Sequence, residues 1–403
     1  MAIKVFRSDQ LGAPLINGVA GTLITALDAI LVNGYGQVNV SSISRSSSTA
    51  TVVTAEPHGF ETGDVALIAG AVETEYNGEH QVTVIDSTTY TFAVAGTPTT
   101  PATGSITSKR APAGFSKVFA GTNKGVYRSN DLSSRRHFFR VLDGGTTSGG
   151  SREAQLWGYE DMTDVDTGSG MYPTAAQYTY GFFWQKSDTA DAVGRHWVLV
   201  TDGKTVYHFA YIQSRLDTSY SYNTIGNPAT NMGSVAFGDL IEFKPGDAYA
   251  SFVTGGPQPN SFSSTQYSGV FNSITSINNN GPSTSQALIM FARDFTAIPG
   301  ARAGQVYASG LSAQLGQTAY IAYPHQIDNG FYMVPALVTQ GAPSLIRGRM
   351  PGLFEPLHGP CFPNGTIIDN VQGYVGRKFM MLYGKNSSSV QACLLDITGP
   401  WDS

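Results

Sequence analysis

Apolar residues recur at helical spacing in the segment 18–33, and four of them fall on one face: Val19, Leu23, Leu27 and Ile30. This spacing is typical of an amphipathic helix. Asn17 can accept a hydrogen bond from the first-turn amides, and Asn33-Gly34 supplies the left-handed residue that often ends a helix. The sequence therefore predicts one helix, whose apolar face must pack on this chain's own sheet or on another subunit.

Residues 37–107 show a different pattern, in which short runs of alternating apolar and polar residues are separated by turn signals. The clearest runs cover 49–54, 64–68, 80–85 and 89–94, and in the last run Tyr90, Phe92 and Val94 face one way. Turns that recur about every 8–12 residues are typical of a small antiparallel sandwich. The sequence predicts an Ig-like β-sandwich module over 37–108, which projects outward on polar linkers at 41–48 and 97–103.

Residues 109–403 continue with strand-like aromatic runs and predict a larger antiparallel β-rich body of one or two subdomains. The predicted strands are 115–120, 125–128, 137–142, 178–184, 197–200, 206–211, 240–243, 288–291, 320–323, 331–338 and 378–383. The Ser-, Asn- and Gly-rich segment 255–284 is too long for a simple connection, and both a subunit contact and a surface excursion remain open for it. The predicted fold class is mainly β, with one short helix within the N-terminal anchoring segment 1–36.

Composition favours a folded protein with a neutral surface. Charged residues are 13% of the 403 residues, hydrophobic residues are 41%, and the net charge is −5. Average soluble proteins carry roughly 25% charged residues, and disorder requires low hydrophobicity with high net charge. Because a weakly charged surface repels other copies little, this composition suits a protein that works in an assembly.

The same composition argues against several classes of partner. A nucleic-acid binder needs clustered Lys and Arg, whereas the one basic run, at 135–140, is interrupted by Phe138 and Phe139. The longest apolar stretch, at 19–32, contains Asp28 and is shorter than the roughly 20 residues that span a bilayer. No signal-peptide pattern follows Met1. We therefore expect synthesis in a cytoplasm, no membrane insertion and no disulfide between Cys361 and Cys393.

No motif in the chain predicts a catalytic residue, a cofactor or a metal. The patterns G-x-S-x-G, G-x-x-x-x-G-K-[ST] and G-x-G-x-x-G are absent, and the seven histidines are scattered. The acidic stretch at 160–166 lacks the later bidentate glutamate of a calcium loop. Glu160 and Asp161 near Trp157 would suit glycoside hydrolysis, but the short repeats of a parallel β-helix, the usual fold of phage depolymerases, are absent.

Several short motifs carry a resemblance to known proteins. In the module they are His58-Gly59-Phe60-Glu61-Thr62-Gly63-Asp64, Tyr76-Asn77-Gly78 and Thr89-Tyr90-Thr91-Phe92. In the body they are Trp197 to Gly203, Phe237-Gly238-Asp239, Lys244-Pro245-Gly246-Asp247, Arg347 to Leu353, Pro356-Leu357-His358 and Asp396 to Trp401. The first set resembles the Ig-like modules that decorate many phage virion proteins, and the second is similar to a family of phage virion structural proteins. The resemblance implies a virion component of the tail, baseplate or neck.

The sequence thus leads to one main hypothesis and two alternatives. In the main one, copies of this non-enzymatic protein assemble with other virion proteins into a symmetric tail, baseplate or collar element. The expected assembly contacts lie in the anchoring segment 1–36, at Val19, Leu23, Leu27 and Ile30. One alternative is a receptor- or carbohydrate-binding virion protein that contacts a host surface glycan through Trp157, Tyr159 and Trp184. The other is a capsid-decoration protein.

Overall fold

The structure is a computed structural model. It describes residues 2–147, 149–216, 232–256, 289–307, 321–340, 345–358, 361–386 and 389–401. The fold is mainly β with one short helix, as the sequence predicts. Helix α1 is Thr22–Leu27 and continues as a π-helix over Asp28–Asn33, which Gly34 ends with a positive φ of 74°.

The helix begins later than predicted, and a distant residue caps it. Asn17 Oδ1 accepts a hydrogen bond from the Val19 amide at 2.9 Å, before the first helical turn. The amide of Leu23 donates instead to Asp143 Oδ2 at 2.9 Å. Since Asp143 lies far away in the sequence, no local pattern could have indicated this cap.

The N-terminal segment is part of the body, because its residues Lys4–Arg7 form strand β1. This strand pairs antiparallel with Arg195–Thr201, placing Phe6 opposite Leu199. This strand was not predicted from the sequence. A four-residue run with a basic residue at each end was too short and too polar to be recognised as a strand.

The predicted module consists of seven antiparallel strands. They are β2 (Tyr35–Ser46), β3 (Thr49–Thr54), β4 (Val65–Ala71), β5 (Gly78–Gln81), β6 (Thr83–Val84), β7 (Thr89–Ala93) and β8 (Gly104–Arg110), with a 3-10 turn at Thr74–Tyr76. Their order is β5-β4-β8-β2-β3-β7-β6. Strand β2 pairs with both β8 and β3 and so joins the two sheets at one edge. At the other edge β5 continues directly into β6. The two sheets enclose a core that includes Ile43, Val52, Tyr76 and Tyr90.

The module does not project on linkers, which corrects the sequence-based expectation. The predicted linker at 41–48 mostly belongs to β2, and Ile43 within it is buried. Lys4 Nζ of the body lies 2.6 Å from Glu79 of the module and donates to Pro112 O at 2.5 Å. Arg7 also forms an ion pair with Glu61, at 2.5 Å. These contacts hold the module against β1.

A five-stranded sheet follows the module. Its strands are β9 (Phe115–Gly121), β10 (Lys124–Ser129), β11 (Phe138–Leu142), β12 (Glu153–Tyr159) and β15 (Phe182–Gln185), in the order β15-β12-β11-β10-β9. A 3-10 turn at Gly150–Arg152 precedes β12, and β13 (Asp161–Met162) and β14 (Gly168–Ser169) form a small hairpin beside the sheet.

The remaining described strands form one 13-stranded antiparallel sheet together with β1. Its further strands are β16 (Arg195–Thr201), β17 (Val206–Arg215), β18 (Met232–Asp239), β19 (Ile241–Glu242), β20 (Ser251–Thr254), β21 (Ile289–Arg293), β22 (Pro299–Tyr307), β23 (Met333–Gln340), β24 (Leu345–Pro356), β25 (Ile367–Asp369), β26 (Lys378–Asn386) and β27 (Ser389–Asp396). Their order is β1-β16-β17-β18-β20-β21-β22-β23-β24-β27-β26-β25, with β19 paired to β24.

Two large cores hold the body together. The first lies between the two sheets and also contains the helix, with Leu27, Trp184, Trp197 and Phe237 among its members. The second lies on the other side of the large sheet. It joins residues from both ends of the chain, including Ile3 and Trp401. The large sheet therefore folds back on itself around this second core.

Most predicted strands are confirmed, and the misses have physical reasons. Leu345–Pro356 was missed because Gly, Pro and Arg interrupt its apolar pattern. In the predicted strand 178–184, the strand begins only at Phe182. In 320–323 the structure describes 321–323, where Ile321 makes one isolated bridge with His358. Almost all of the segment 255–284 lies outside the described residues. Among the described helices, none is long and apolar enough to cross a membrane.

Candidate binding surfaces

The four residues predicted as assembly contacts lie in different environments. Leu23, Leu27 and Ile30 have no exposed surface, because their side chains pack into the core between the chain's own two sheets. Of the two partners that the sequence left open for this helix face, the structure therefore provides this chain itself. Val19 alone remains accessible, with 41% of its surface exposed.

The three aromatic residues predicted as glycan contacts are buried. Trp184 lies in the first core and donates from Nε1 to His208 Nδ1 at 2.9 Å. The Arg140 guanidinium lies 4.9 Å from the ring centroid of Trp157, and Tyr159 packs against the same group of apolar residues. Since none of these rings presents a free face, a sugar cannot stack on them. They are core residues of the neighbouring strands β12 and β15, which are buried along their whole length.

Two of the motifs that carry the resemblance meet in a buried ion pair. Arg347 Nε lies 3.0 Å from Asp247 Oδ2, and both side chains are almost completely buried. The same guanidinium donates to Tyr249 O at 2.7 Å and to Gln340 Oε1 at 2.6 Å. All of these partners belong to the protein. The motifs therefore specify the fold of the large sheet at this point, and they form no free reactive group.

A third motif, Phe237-Gly238-Asp239, ends strand β18 beside a cavity of about 300 Å³. Gly238 has a φ of 130°, and a Cβ there would overlap the Lys204 carbonyl oxygen. Asp239 Oδ2 accepts a hydrogen bond from the Arg135 amide at 2.8 Å, and Asp202 Oδ1 accepts the Thr205 amide at 2.7 Å. Burial raises the pKa of both carboxyls. Asp202 thus stabilises a local turn, whereas Asp239 connects the end of β18 to the segment that contains Arg135.

The acidic stretch at 160–166 is engaged in ion pairs. Glu160 lies 2.6 Å from Arg293 Nε, and Asp166 lies 2.6 Å from Lys124 Nζ. Asp166 also forms an ion pair with Arg140. Across the described ranges, no three His, Cys, Asp or Glu side chains are grouped so that they could hold a metal ion.

A cavity of about 410 Å³ runs along β1 between the module and the end of the large sheet. Its open strand edge is closed by one side chain. Gln10 Nε2 donates to Val5 O at 3.3 Å, and Gln10 Oε1 accepts the Arg7 amide at 3.0 Å. Tyr35 Oη donates to the same Oε1 at 2.6 Å. Because Gln10 imitates a neighbouring strand, this edge is protected against pairing with another chain.

An exposed apolar strip lies at the edge strand β19 and the start of β24. We define the strip as Phe243, Leu345 and Ile346, which are 71%, 46% and 45% exposed. The Phe243 amide donates to Arg347 O at 2.9 Å, so Phe243 lies directly beside β24. Large apolar side chains grouped on a surface usually mark a contact with another molecule. The sequence did not single out these three residues.

A second surface feature is a cluster of aromatic rings near the end of β24. We define the aromatic cluster as Tyr323, Phe331, Tyr332, His358 and Phe362. The Phe331 ring stacks on His358 with centroids 4.9 Å apart, and Tyr323 lies 4.9 Å from Phe362 and 5.5 Å from His358. His358 is buried, whereas Tyr323 is 40% exposed. The cluster thus has a buried centre and an accessible ring at its surface.

Hydrogen bonds fix the loop that carries these rings. His358 Nε2 accepts the Tyr332 amide at 2.7 Å, so the proton is on Nδ1, which donates to Ile321 O at 3.0 Å. Asp328 accepts hydrogen bonds from Tyr332 Oη, from His325 Nδ1 and from the Gly330 amide. The hydrogen bond from Tyr332 is the main reason that the pKa of Asp328 falls to about 2.

The similarity of this chain to known proteins is weak. No family model matches it, and no curated protein is significantly similar to it. Among solved structures it is similar to "Phage phi92 endosialidase", with 11% identity and a TM-score of 0.15. The match covers 90% of this chain and 52% of the other, so the chain spans about half the length of that protein. A likeness at this TM-score supports no functional argument.

Proposed function

We propose that this protein is a non-enzymatic structural component of a tailed phage virion, whose copies assemble into a symmetric tail, baseplate or collar element. The virion context rests on the resemblance of the motifs in the module and the body. The assembly role rests on one structural observation, the exposed apolar strip of Phe243, Leu345 and Ile346. We propose a second copy of this chain as the partner that covers it.

The position of the strip favours a contact between β-sheets. Phe243 directly follows the two-residue edge strand β19, and Leu345 and Ile346 begin the neighbouring strand β24. Covering three large apolar side chains would remove apolar surface from water, and each Å² that is removed stabilises the contact by about 25 cal/mol. A stable interface needs roughly 800 Å² per partner, so the strip would form the centre of a larger contact.

The electrostatics of the chain support association between identical copies. Only 13% of its residues are charged, and its net charge is −5. Many of these charges form internal pairs, such as Arg347 with Asp247 and Lys186 with Asp143. Identical surfaces therefore meet with little repulsion.

The proposal of a non-enzymatic role rests on the state of the polar groups in and beside the described cavities. Asp202 and Asp239 accept backbone hydrogen bonds, and Glu242 forms an ion pair with Arg135. In the cleft along β1, Arg110 lies 2.6 Å from Asp64, and Arg7 is paired with Glu61. Groups that are committed to the fold in this way are poor candidates for acid–base catalysis.

The assembly role is tested by the mass of the purified protein in solution. Light scattering coupled to size-exclusion chromatography should show an oligomer for the parent chain. The double variant Phe243→Ser with Ile346→Ser should raise the dissociation constant at least about tenfold. Leu132→Ser is the matched control, because Leu132 is also exposed but lies outside the strip. A monomeric parent chain, or a double variant that assembles like the parent, would refute the role of the strip.

A further inference from the structure

We propose that the aromatic cluster is a binding site for a neutral polysaccharide, with Tyr323 as the ring on which a sugar stacks. This activity goes beyond the assembly role and depends on residues outside the apolar strip. It also differs from the glycan contacts predicted from the sequence, since those three rings are buried.

The geometry of Tyr323 suits a stacking platform. The residue Tyr323 is 40% exposed, and its ring lies 5.7, 5.5 and 4.9 Å from the ring centroids of Phe331, His358 and Phe362. Two of these contacts are edge-to-face, which holds the ring in one orientation. The apolar C–H face of a sugar ring packs well on an aromatic ring that is accessible and already fixed.

The support beneath Tyr323 is rigid. His358 joins three segments, because it donates to Ile321 O and accepts the Tyr332 amide while lying next to Leu357 at the end of β24. Leu357 itself donates its amide to Tyr332 O at 3.0 Å. Phe331 and Phe362 also pack against the apolar group beneath them, which includes Met333, Phe379 and Met381. A ligand therefore does not have to order this surface when it binds.

The polar rim of the cluster favours a neutral, hydroxyl-rich ligand. Gln326 and Asn329 are exposed in the loop beside Tyr323 and offer amide donors and acceptors. The nearby carboxylate, Asp328, already accepts hydrogen bonds from three groups of the same loop. The loop 323–332 contains no Lys or Arg. The Asp328 carboxylate would repel an acidic polymer, so charge favours a neutral polysaccharide.

Affinity electrophoresis of the full chain tests the site. Native gels that contain dextran, mannan, galactomannan or mixed-linkage β-glucan should retard the parent protein in at least one case. Tyr323→Ala should weaken that retardation about three- to tenfold, in line with the loss of one stacking contact. Tyr323→Phe should keep most of it. Tyr180→Ala is the matched control, because Tyr180 is 50% exposed and lies outside the cluster.

If Tyr323→Ala does not fold, chemical modification of the parent protein tests the site instead. Tetranitromethane nitrates exposed tyrosine rings, and peptide mass spectrometry locates the product. The polysaccharide that retards the protein should protect Tyr323 and leave Tyr180 reactive. Lack of retardation in every gel, or equal nitration of Tyr323 with and without the polysaccharide, would overturn the site. Neither assay measures the mass of the oligomer. A negative result for the binding site would therefore leave the assembly proposal intact.

Discussion

The carboxylate of Asp143 lies 2.6 Å from the ammonium group of Lys186, and neither side chain has any exposed surface. Asp143 also accepts the Leu23 amide at the start of the helix, and Lys186 donates to Val19 O at 2.5 Å. Burial raises the pKa of Asp143 and lowers the pKa of Lys186, whereas their attraction opposes both shifts. This pair connects the N-terminal helix to the ends of strands β11 and β15 of the five-stranded sheet.

Removing one partner of this pair should destabilise the protein strongly. Lys186→Met leaves the Asp143 carboxylate buried without its counter-charge, which should lower the free energy of unfolding by about 3–5 kcal/mol. The double variant Asp143→Leu with Lys186→Met should lose less free energy of unfolding than Lys186→Met alone, because no isolated charge remains. Urea titrations followed by tryptophan fluorescence measure both values. A Lys186→Met variant within about 1 kcal/mol of the parent would show that the pair is not needed.

Buried histidines should make the fold sensitive to acid. Burial lowers the pKa of His137 from 6.5 to about 4 and that of His208 to about 3. Below pH 6.5 the unfolded chain binds protons that the folded chain does not bind. The free energy of unfolding should therefore fall as the pH drops from 6.5 to about 4, by up to about 1.4 kcal/mol per pH unit for each histidine.

His137→Phe isolates one part of this pH dependence. The variant also loses the 2.9 Å hydrogen bond between His137 Nδ1 and Tyr172 Oη, so only slopes against pH are compared. Urea titrations at several pH values between 7 and 4 should give a shallower slope for the variant than for the parent. Equal slopes would mean that His137 is protonated in the folded state as readily as in the unfolded state.

Replacing Gln10 should expose the edge of β1. Gln10→Leu removes the side-chain amide that hydrogen-bonds to Val5 O and to the Arg7 amide. We expect the free energy of unfolding to fall by about 1 kcal/mol and self-association to become stronger. Dynamic light scattering over a concentration series should show larger particles for this variant. Gln372→Leu, at an exposed glutamine, serves as the control for added apolar surface. Identical particle sizes for the two variants would contradict a protective role for Gln10.

The shape of the Arg347 guanidinium should contribute more to the stability of the fold than its charge does. Arg347→Lys keeps the charge near Asp247 but cannot also reach Tyr249 O, Gln340 Oε1 and Arg293 O. We expect a loss of about 3 kcal/mol in the free energy of unfolding. Arg302→Lys, at a half-buried arginine of the same sheet, should change it by less than about 1 kcal/mol. Similar losses for the two variants would contradict this role.

The parts of the fold that the sequence revealed depend on local patterns. Helical spacing indicated α1, and alternation with period two indicated strands such as Thr49–Thr54 and Thr89–Ala93. The Asp143 cap and the pairing of Lys4–Arg7 with Arg195–Thr201 are long-range contacts, which no window of sequence contains. Residues 41–46 looked like a linker because serines occupy the exposed positions of β2 around the buried Ile43.

The candidate surfaces were harder to predict than the fold. Trp184 is an aromatic residue at strand spacing, and such residues are usually core residues, as this one is. The aromatic cluster joins the segment 323–332 with His358 and Phe362, and only the fold brings these segments together. A local signal was present, since Tyr323, His325, Phe331 and Tyr332 lie within ten residues of each other.

Assembly of this chain through the apolar strip can be observed by electron cryo-microscopy of the purified, assembled protein. We expect a closed symmetric particle in which Phe243 and Ile346 of each copy are buried against a neighbouring copy. A symmetric particle that leaves the strip in solvent, or dispersed single chains at micromolar concentration, would contradict it.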